Sequence, residues 1–528
     1  MFALAATIFF FHLGAYGLWE PDEGRYSEIP REMIESGDYL VPHLNYVAYV
    51  EKPPLLYWMT AASFRAFGEN EFAARVVSAM AAMLGVIATF VFAMRTFDRR
   101  RAILAGAILA TSPLYAVMAQ VLTTDMLLAS LVTIGFFSFF LAWRDGGIWR
   151  WIFYAAMGLG ILAKGPVGAA LPVLVALVFL WWQSDLADGI KKLRPANGLA
   201  LTAVIAAPWF VAVAIRVPGF LWFYFVGEHL RRFFQASYSH GEPIYFYLPV
   251  LLIGLMPWSL MSPAILRRDS QNSARSFCLI ASIVVLALFS LASAKLIPYV
   301  LPALPPLAVV LADAILSRVE TAARASGLRF TAAAVGFAGV AVLIVAALAP
   351  HFHGQYLVLA RAAMFVIGAI LLGGGLATAA ILRRNRIVPA LASLAFTIAL
   401  ALLAGTYARI AVEPMRSYAE LSRAVAAQAP DASLICYHRY IQSLPFYARR
   451  RVILVGQRSE LGFGAARSAD AHDYFFDSDG DLIRLWNRAE KSVLLIDQSD
   501  LDRLKPLLGS FRVIASEHTK RAVVKSTP

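Results

Sequence analysis

The chain has 528 residues, 59% of them hydrophobic and only 15% charged, with a mean hydropathy of +0.65; soluble globular domains run at roughly 45–50% apolar and about 25% charged. That balance excludes both a soluble globular protein and a disordered one. The net charge of +13 does not point to nucleic acid, because the basic residues fall in alternate loops between apolar runs, the distribution that orients a membrane protein.

In chain order, apolar runs centre near residues 10, 83, 110, 134, 157, 173, 206, 254, 285, 305, 340, 372 and 398. Crossing a ~30 Å hydrocarbon layer takes roughly 20 such residues, so the sequence predicts about thirteen transmembrane helices. The first run, residues 2–18, lacks a basic n-region and a small-residue cleavage site, and is read as a retained helix. With a cytoplasmic N-terminus, the inner loops hold Arg95 with Arg99, Arg100 and Arg101, then Arg144 with Arg150, and Lys191 and Lys192 with Arg194. Arg267 with Arg268, Arg318 with Arg324, and Arg383 with Arg384 complete the set. This obeys the positive-inside rule and places the loop over 19–71 and the chain beyond 412 outside.

Composition changes abruptly after the last run. Short apolar strands at 433–437, 452–456, 492–497 and 511–516 alternate with polar helical stretches, which predicts a small α/β domain over 412–528. Asp477, Asp479 and Asp481 around Gly480 have the look of a calcium loop but lack the downstream acidic ligand, so a solvated turn is expected. Cys278 in a span and Cys436 in the outer domain are not expected to pair.

The outer face carries the polar residues that need explaining. Loop 19–71 holds Trp19-Glu20-Pro21-Asp22-Glu23-Gly24-Arg25-Tyr26, then an amphipathic stretch running to Ser36, and Glu51-Lys52-Pro53-Pro54 leading into a second one over 55–67, both suited to the membrane interface. Asp22 and Asp125 each have an explanation as helix N-caps, yet both carboxylates arrive at the same face. Lys52, Lys164, Arg231, Arg232 and Lys295 lie on the side that the positive-inside rule depletes. Snorkelling accounts for any one of them; five together suit a lipid phosphate. Lys164 also stands between two short segments broken by Gly165 and Pro166, a pattern tolerated at membrane depth only beside a protein-lined or watery cavity. Glu51 and His229 are candidates to share a divalent ion, zinc or another, although two ligands do not make a site. Glu23, Tyr26 and Tyr49 are candidate sugar contacts and Tyr299 a candidate phosphate contact, against the alternative of an ordinary aromatic belt. No glycine-rich phosphate loop follows a strand into a helix, so no nucleotide cofactor is expected.

The two loop motifs, together with Thr123-Thr124-Asp125, Lys164-Gly165-Pro166, Glu228-His229, Arg232-Phe233 and Lys295-Leu296-Ile297-Pro298-Tyr299, give the chain a resemblance to the bacterial lipid A aminoarabinose transferases. These belong with the protein O-mannosyltransferase-like membrane glycosyltransferases of the GT-C fold. The resemblance covers essentially all the spans. It implies an all-α polytopic membrane domain over 1–411 and a periplasmic α/β domain over 412–528, in the bacterial inner membrane with its site facing the periplasm. The implied reaction is inverting transfer of 4-amino-4-deoxy-L-arabinose from undecaprenyl phosphate to lipid A phosphate, with polymyxin resistance as its consequence. On matching positions, Asp22 and Asp125 resemble the catalytic carboxylates, Glu51 with His229 a metal site, and Lys52, Arg232 and Tyr299 the groups that hold polyprenyl phosphate. Two alternatives stay open: the same fold moving mannose or galacturonic acid to protein or core sugar, and a transporter of lipid-linked sugars. A transporter commonly shows internal repeats and paired broken helices near the midplane; one broken pair is evident here.

Overall fold

The computed structural model describes residues 1–231, 242–264, 272–320, 326–348, 355–488 and 491–525. It divides into two compact units, Met1–Leu13 with Arg75–Ala411 and Gly14–Ala74 with Val412–Pro528.

The first unit is helical, and the chain is a multi-pass membrane protein. Among the described residues, eight helices are long and apolar enough to cross a bilayer. Thr124–Asp145 and Ile297–Arg318 are its centre, each 89% buried within the chain, whereas Val358–Arg383 is only 22% buried. Lipid is as apolar as leucine, so such helices associate by close packing rather than by the hydrophobic effect. Phe92 stacks on Phe137 at 4.2 Å, and Phe277 packs against Phe140 and Phe179 at 5.1 and 5.2 Å.

Five of the thirteen expected spans are shorter pieces. The runs near 10, 110, 157, 173 and 254 form Phe2–Phe10, Arg99–Ala110, Trp149–Lys164, Val167–Trp182 and Tyr247–Gly254, of 9, 12, 16, 16 and 8 residues. The reasons are local. Phe2–Phe10 stops before His12, whose φ is 54°, and carbonyls near its end are claimed by side chains. Gln120 Nε2 donates to Ile8 at 2.5 Å, and Arg75 Nη1 donates to Leu13 at 2.7 Å. Trp149–Lys164 ends at Gly165, with φ of 91°, a conformation that side chains disfavour. Pro166 then caps the start of Val167–Trp182. The two short helices pack backbone to backbone: a Cβ on Gly168 would stand 2.1 Å from Gly160 C.

The second unit contains the hairpin β1 (His43–Leu44) and β2 (Val47–Ala48), and the strands β3 (Ser433–His438), β4 (Val452–Gly456), β5 (Phe475–Phe476), β6 (Ser492–Asp497), β7 (Phe511–Glu517) and β8 (Lys520–Lys525). The last six form one sheet in the order β5-β4-β3-β6-β8-β7. Strands β5, β4, β3 and β6 are parallel, and β8 and β7 join antiparallel. A core of Ile435, Tyr437, Val455, Leu494, Ile496 and Trp486 fills its centre. The segment 14–74 is built into this unit. Asn45 opens the two-residue hairpin turn with φ of 54° and exchanges two hydrogen bonds with the Val452 main chain, at 2.9 and 2.8 Å. Asp479 and Asp481 lie in the first turn of the helix Asp479–Arg488, and Asp477 pairs with Arg458 at 2.8 Å. Both cysteines are buried and free.

Candidate functional site

In the second unit the expected amphipathic stretches are the helices Asp22–Ser36 and Leu55–Phe67. Every residue from Glu23 to Met33 is buried, charged ones included. Burying a charge is costly unless it is paired and hydrogen-bonded, and here the pairing is dense. Arg31 donates to Glu28 at 2.7 and 2.6 Å and to Glu35 at 2.7 Å. Burial pushes the Glu28 and Glu32 carboxyls above the usual carboxylate range. Glu23 turns back to accept the Trp19 amide at 2.9 Å, which fixes the entry to the helix.

Asp22 is the exception, with its side chain 51% exposed. Pro21 occupies the cap position, and the helix has no side-chain cap bond, so Asp22 does not act as the N-cap. Its carboxylate is held by Arg25 Nη2 at 3.2 Å. Arg25 is nearly enclosed and also reaches Tyr49 Oη at 3.1 Å and Glu460 at 2.8 Å. Tyr49 passes the chain of bonds on, donating to Glu51 Oε2 at 3.1 Å. Burial raises the Tyr49 phenol, which keeps it a donor. Tyr26 lies beside this group, with the Arg25 guanidinium 5.4 Å from its ring centre. Lys52 Nζ bonds the Glu51 carbonyl at 3.3 Å. The result is one exposed carboxylate held by an enclosed guanidinium, with Glu51 and Lys52 on the same bonded network.

The first unit holds a second cluster. Asp125 is the second residue of Thr124–Asp145, a helix with no side-chain cap bond. Its carboxylate forms a close ion pair with Lys164 Nζ, both side chains being about 15% exposed. The ammonium also lies 4.8 Å from the ring centre of Tyr299. Lys164 therefore shares its charge with Asp125 as well as facing an aromatic ring. Lys295 is buried and donates to the Ala292 carbonyl at 2.9 Å. Tyr247, which the sequence did not single out, exchanges hydrogen bonds with the Leu296 main chain at 3.2 Å. The His229 and Arg231 side chains and the whole of Arg232 lie outside the described residues. Among the described residues no group of three or more His, Cys, Asp or Glu is placed to hold a metal ion.

Comparison with known proteins bears on the whole chain. Residues 51–212 match the family model described as dolichyl-phosphate-mannose-protein mannosyltransferase, and residues 421–526 match the one described as aminoarabinose transferase C-terminal domain. The crystal structure of ArnT from Cupriavidus metallidurans bound to undecaprenyl phosphate superposes with a TM-score of 0.89 at 29% identity, covering 99% of this chain and 97% of that one. The chain is thus similar to this ArnT along nearly its whole length, and its C-terminal part to the aminoarabinose transferase C-terminal domain. Curated relatives include the undecaprenyl phosphate-alpha-4-amino-4-deoxy-L-arabinose arabinosyl transferases of Shewanella sediminis and Pseudomonas aeruginosa. Each is 35% identical, over 60% and 64% of this chain and 59% and 62% of the relative. The matched stretch thus spans less than two thirds of the length of these aminoarabinose transferases. An archaeal oligosaccharyltransferase from Archaeoglobus fulgidus, at 14% identity and a TM-score of 0.51, shares the fold.

Proposed function

We propose that this protein moves 4-amino-4-deoxy-L-arabinose from undecaprenyl phosphate to a phosphate of lipid A, in the bacterial inner membrane with its site facing the periplasm. The observation that carries the proposal is the end-to-end likeness to a family member solved with undecaprenyl phosphate bound. The chemistry is in-line displacement at the anomeric carbon. The bond from that carbon to the donor phosphate breaks, and a bond to the acceptor oxygen forms on the opposite face. Lys52, Lys295 and Arg232 offset the charge that develops on the leaving phosphate, the kind of preorganised stabilisation that is usually the largest catalytic contribution. An acceptor phosphate is already ionised and needs no base, so Asp22 and Asp125 position it or bind the sugar amine. We assign Tyr26 and Tyr49 to contact with the sugar and Tyr299 to the phosphate. Mass spectrometry of lipid A from cells with and without the gene tests this. Loss of the aminoarabinose mass increment on deletion is expected; unchanged lipid A overturns the acceptor assignment.

The match of residues 51–212 to the mannosyltransferase model favours one second reading, transfer of a polyprenyl-linked sugar to protein. In that case a glycoprotein, not lipid A, changes on deletion, and an acceptor hydroxyl calls for one carboxylate as base.

We assign Glu51 and His229 to a divalent ion. Glu51 accepts the Tyr49 hydroxyl, and a carboxylate retains further lone pairs, so it fits as one oxygen ligand. A bound ion would supply Lewis acidity or a fixed positive charge beside the donor phosphate. Elemental analysis of the purified protein should find a metal that Glu51→Gln loses. Fully active, metal-free protein would overturn the assignment and leave Glu51 a member of the Tyr49 hydrogen-bond network.

A further inference from the structure

The C-terminal α/β domain takes no part in the chemistry above, yet the loop that carries Asp22 is fastened to it. In the sheet order β5-β4-β3-β6 the chain leaves β3 toward β4 on one side while β6 lies on the other. The crevice beyond the carboxyl end of β3 is therefore the topological switch point, where open α/β sheets take their ligands. Here that place receives a carboxylate of the same chain. The backbone amides of Gln442 and Ser443, just past β3, donate to Glu20 at 3.0 and 2.8 Å. The start of the Asp22 helix lies directly on that backbone. A Cβ on Gly24 would stand 2.6 Å from Ser443 N and 2.8 Å from Gln442 C, so only glycine fits. Beside it, Glu460 in the turn Ser459–Leu461 accepts from Gln442 Nε2 at 3.2 Å and pairs with Arg25 at 2.8 Å. Arg25 in turn holds Asp22.

We propose that the C-terminal domain is a positioning element for the Asp22 carboxylate and that Glu460 is the residue through which it acts, by fixing the Arg25 guanidinium. The proposal rests on the assignment of Asp22 to the transfer site. A guanidinium is planar, and its donors are set in a rigid fork. With Glu460 and Tyr49 claiming Nη1, the orientation of Nη2 toward Asp22 follows. Glu460 touches no reacting group. Its loss frees Arg25 to turn and lets the exposed carboxylate wander, and a misplacement of about 1 Å costs on the order of a hundredfold in rate.

Two readouts on the full-length chain in lipid nanodiscs test this. In Glu460→Gln, amide hydrogen exchange over residues 19–26 should quicken by about tenfold, while β3 and β4 keep wild-type protection, as expected of a local opening. In transfer assays the same variant should lose at least about tenfold in kcat with donor KM within about twofold, the pattern of an interaction made in the transition state. Glu460→Asp, which keeps the charge, should recover part of both. Unchanged exchange over 19–26 overturns the proposal, as does a loss that appears in KM with kcat intact. If Glu460→Gln does not fold, Gln442→Ala removes the other partner of Glu460 and should show the same pattern in smaller degree; unchanged exchange there also overturns it. A wild-type chain that transfers no sugar from the aminoarabinosyl donor counts against the substrate reading, and the exchange arm still decides the positioning.

Discussion

Helix capping and chemistry are competing explanations for Asp22 and Asp125, and the hydrogen bonds separate them. Neither side chain caps its helix; one carboxylate goes to Arg25 and the other to Lys164. Exchange for asparagine keeps size and capping ability and removes charge. The expected stability effects differ. Asp22 is half-exposed, and an exposed pair contributes about 0–1 kcal/mol. Asp125 and Lys164 are mostly buried, and removing one partner of a buried pair costs up to about 3–5 kcal/mol. Asp22→Asn should therefore lose most transfer activity with an unchanged melting temperature. Asp125→Asn should lose activity as well and melt lower. Near-normal turnover in both variants would assign the two carboxylates to structure alone. The sequence showed both as candidates and gave Lys164 to the donor phosphate. Its pairing with Asp125 follows from helix length: Thr124–Asp145 leads away from that level and Trp149–Lys164 returns to it. Arg25 was visible inside the acidic motif, but its link to Glu460 had no local signal, because nothing near residue 460 marks it as a partner.

Among the elements, the strands were the most legible. The expected segments at 433–437, 452–456, 492–497 and 511–516 match β3, β4, β6 and β7 to within a residue. The first three are buried parallel strands, which read as short continuous apolar runs, and β7 is an antiparallel edge strand. Strand β8 was not anticipated: its flanking lysines and arginine hide the short apolar run Ala522, Val523 and Val524, of which the first two are buried. The span count was less legible, since hydropathy does not register the breaks at His12 and Gly165. Nor did it find the polar contact that ties three helices together. Asp313, buried in Leu304–Glu320, pairs with Arg101 at 2.8 Å and with Arg275 at 2.9 Å. Asp313→Asn should lower the stability of the detergent-extracted protein by about 3–5 kcal/mol, since it takes a carboxylate from two largely enclosed guanidiniums. Asp98→Asn is the control. Asp98 also pairs with Arg101, but it is 42% exposed, and asparagine preserves its capping bonds to the Arg100 and Arg101 amides. It should cost no more than about 1 kcal/mol. Equal melting shifts in the two variants would mean that the Asp313 contacts contribute no more than a surface pair.

At the scale of the whole molecule the question is which way the chain faces, and single helices link its two ends. Asp125 lies in the first turn of Thr124–Asp145 and Arg144 in the last, a separation of about 30 Å at 1.5 Å per residue, which is one hydrocarbon thickness. Lys164 and Arg150 stand at opposite ends of Trp149–Lys164 in the same way. The basic ends meet one another. The Arg95 guanidinium lies 5.4 Å from the Trp149 ring centre, Arg150 donates to the Lys192 carbonyl at 3.2 Å, and Lys192 faces Asp185 at 3.6 Å. One end of the first unit thus gathers the residues that the positive-inside rule keeps in the cytoplasm, and the other presents Asp125, Lys164 and Tyr299. Turning the chain over would move the whole basic set across the membrane, at about 2.5–3.5 kcal/mol for each arginine or lysine carried through the centre of a helix. The final helix Ile387–Val412 gives the direct test. A reporter fused after Arg384 should behave as cytoplasmic, and one fused after Arg409 as periplasmic. The opposite pair of signals would put Asp125 and Lys164 in the compartment that lacks the proposed acceptor, and the transferase reading would fall with the topology.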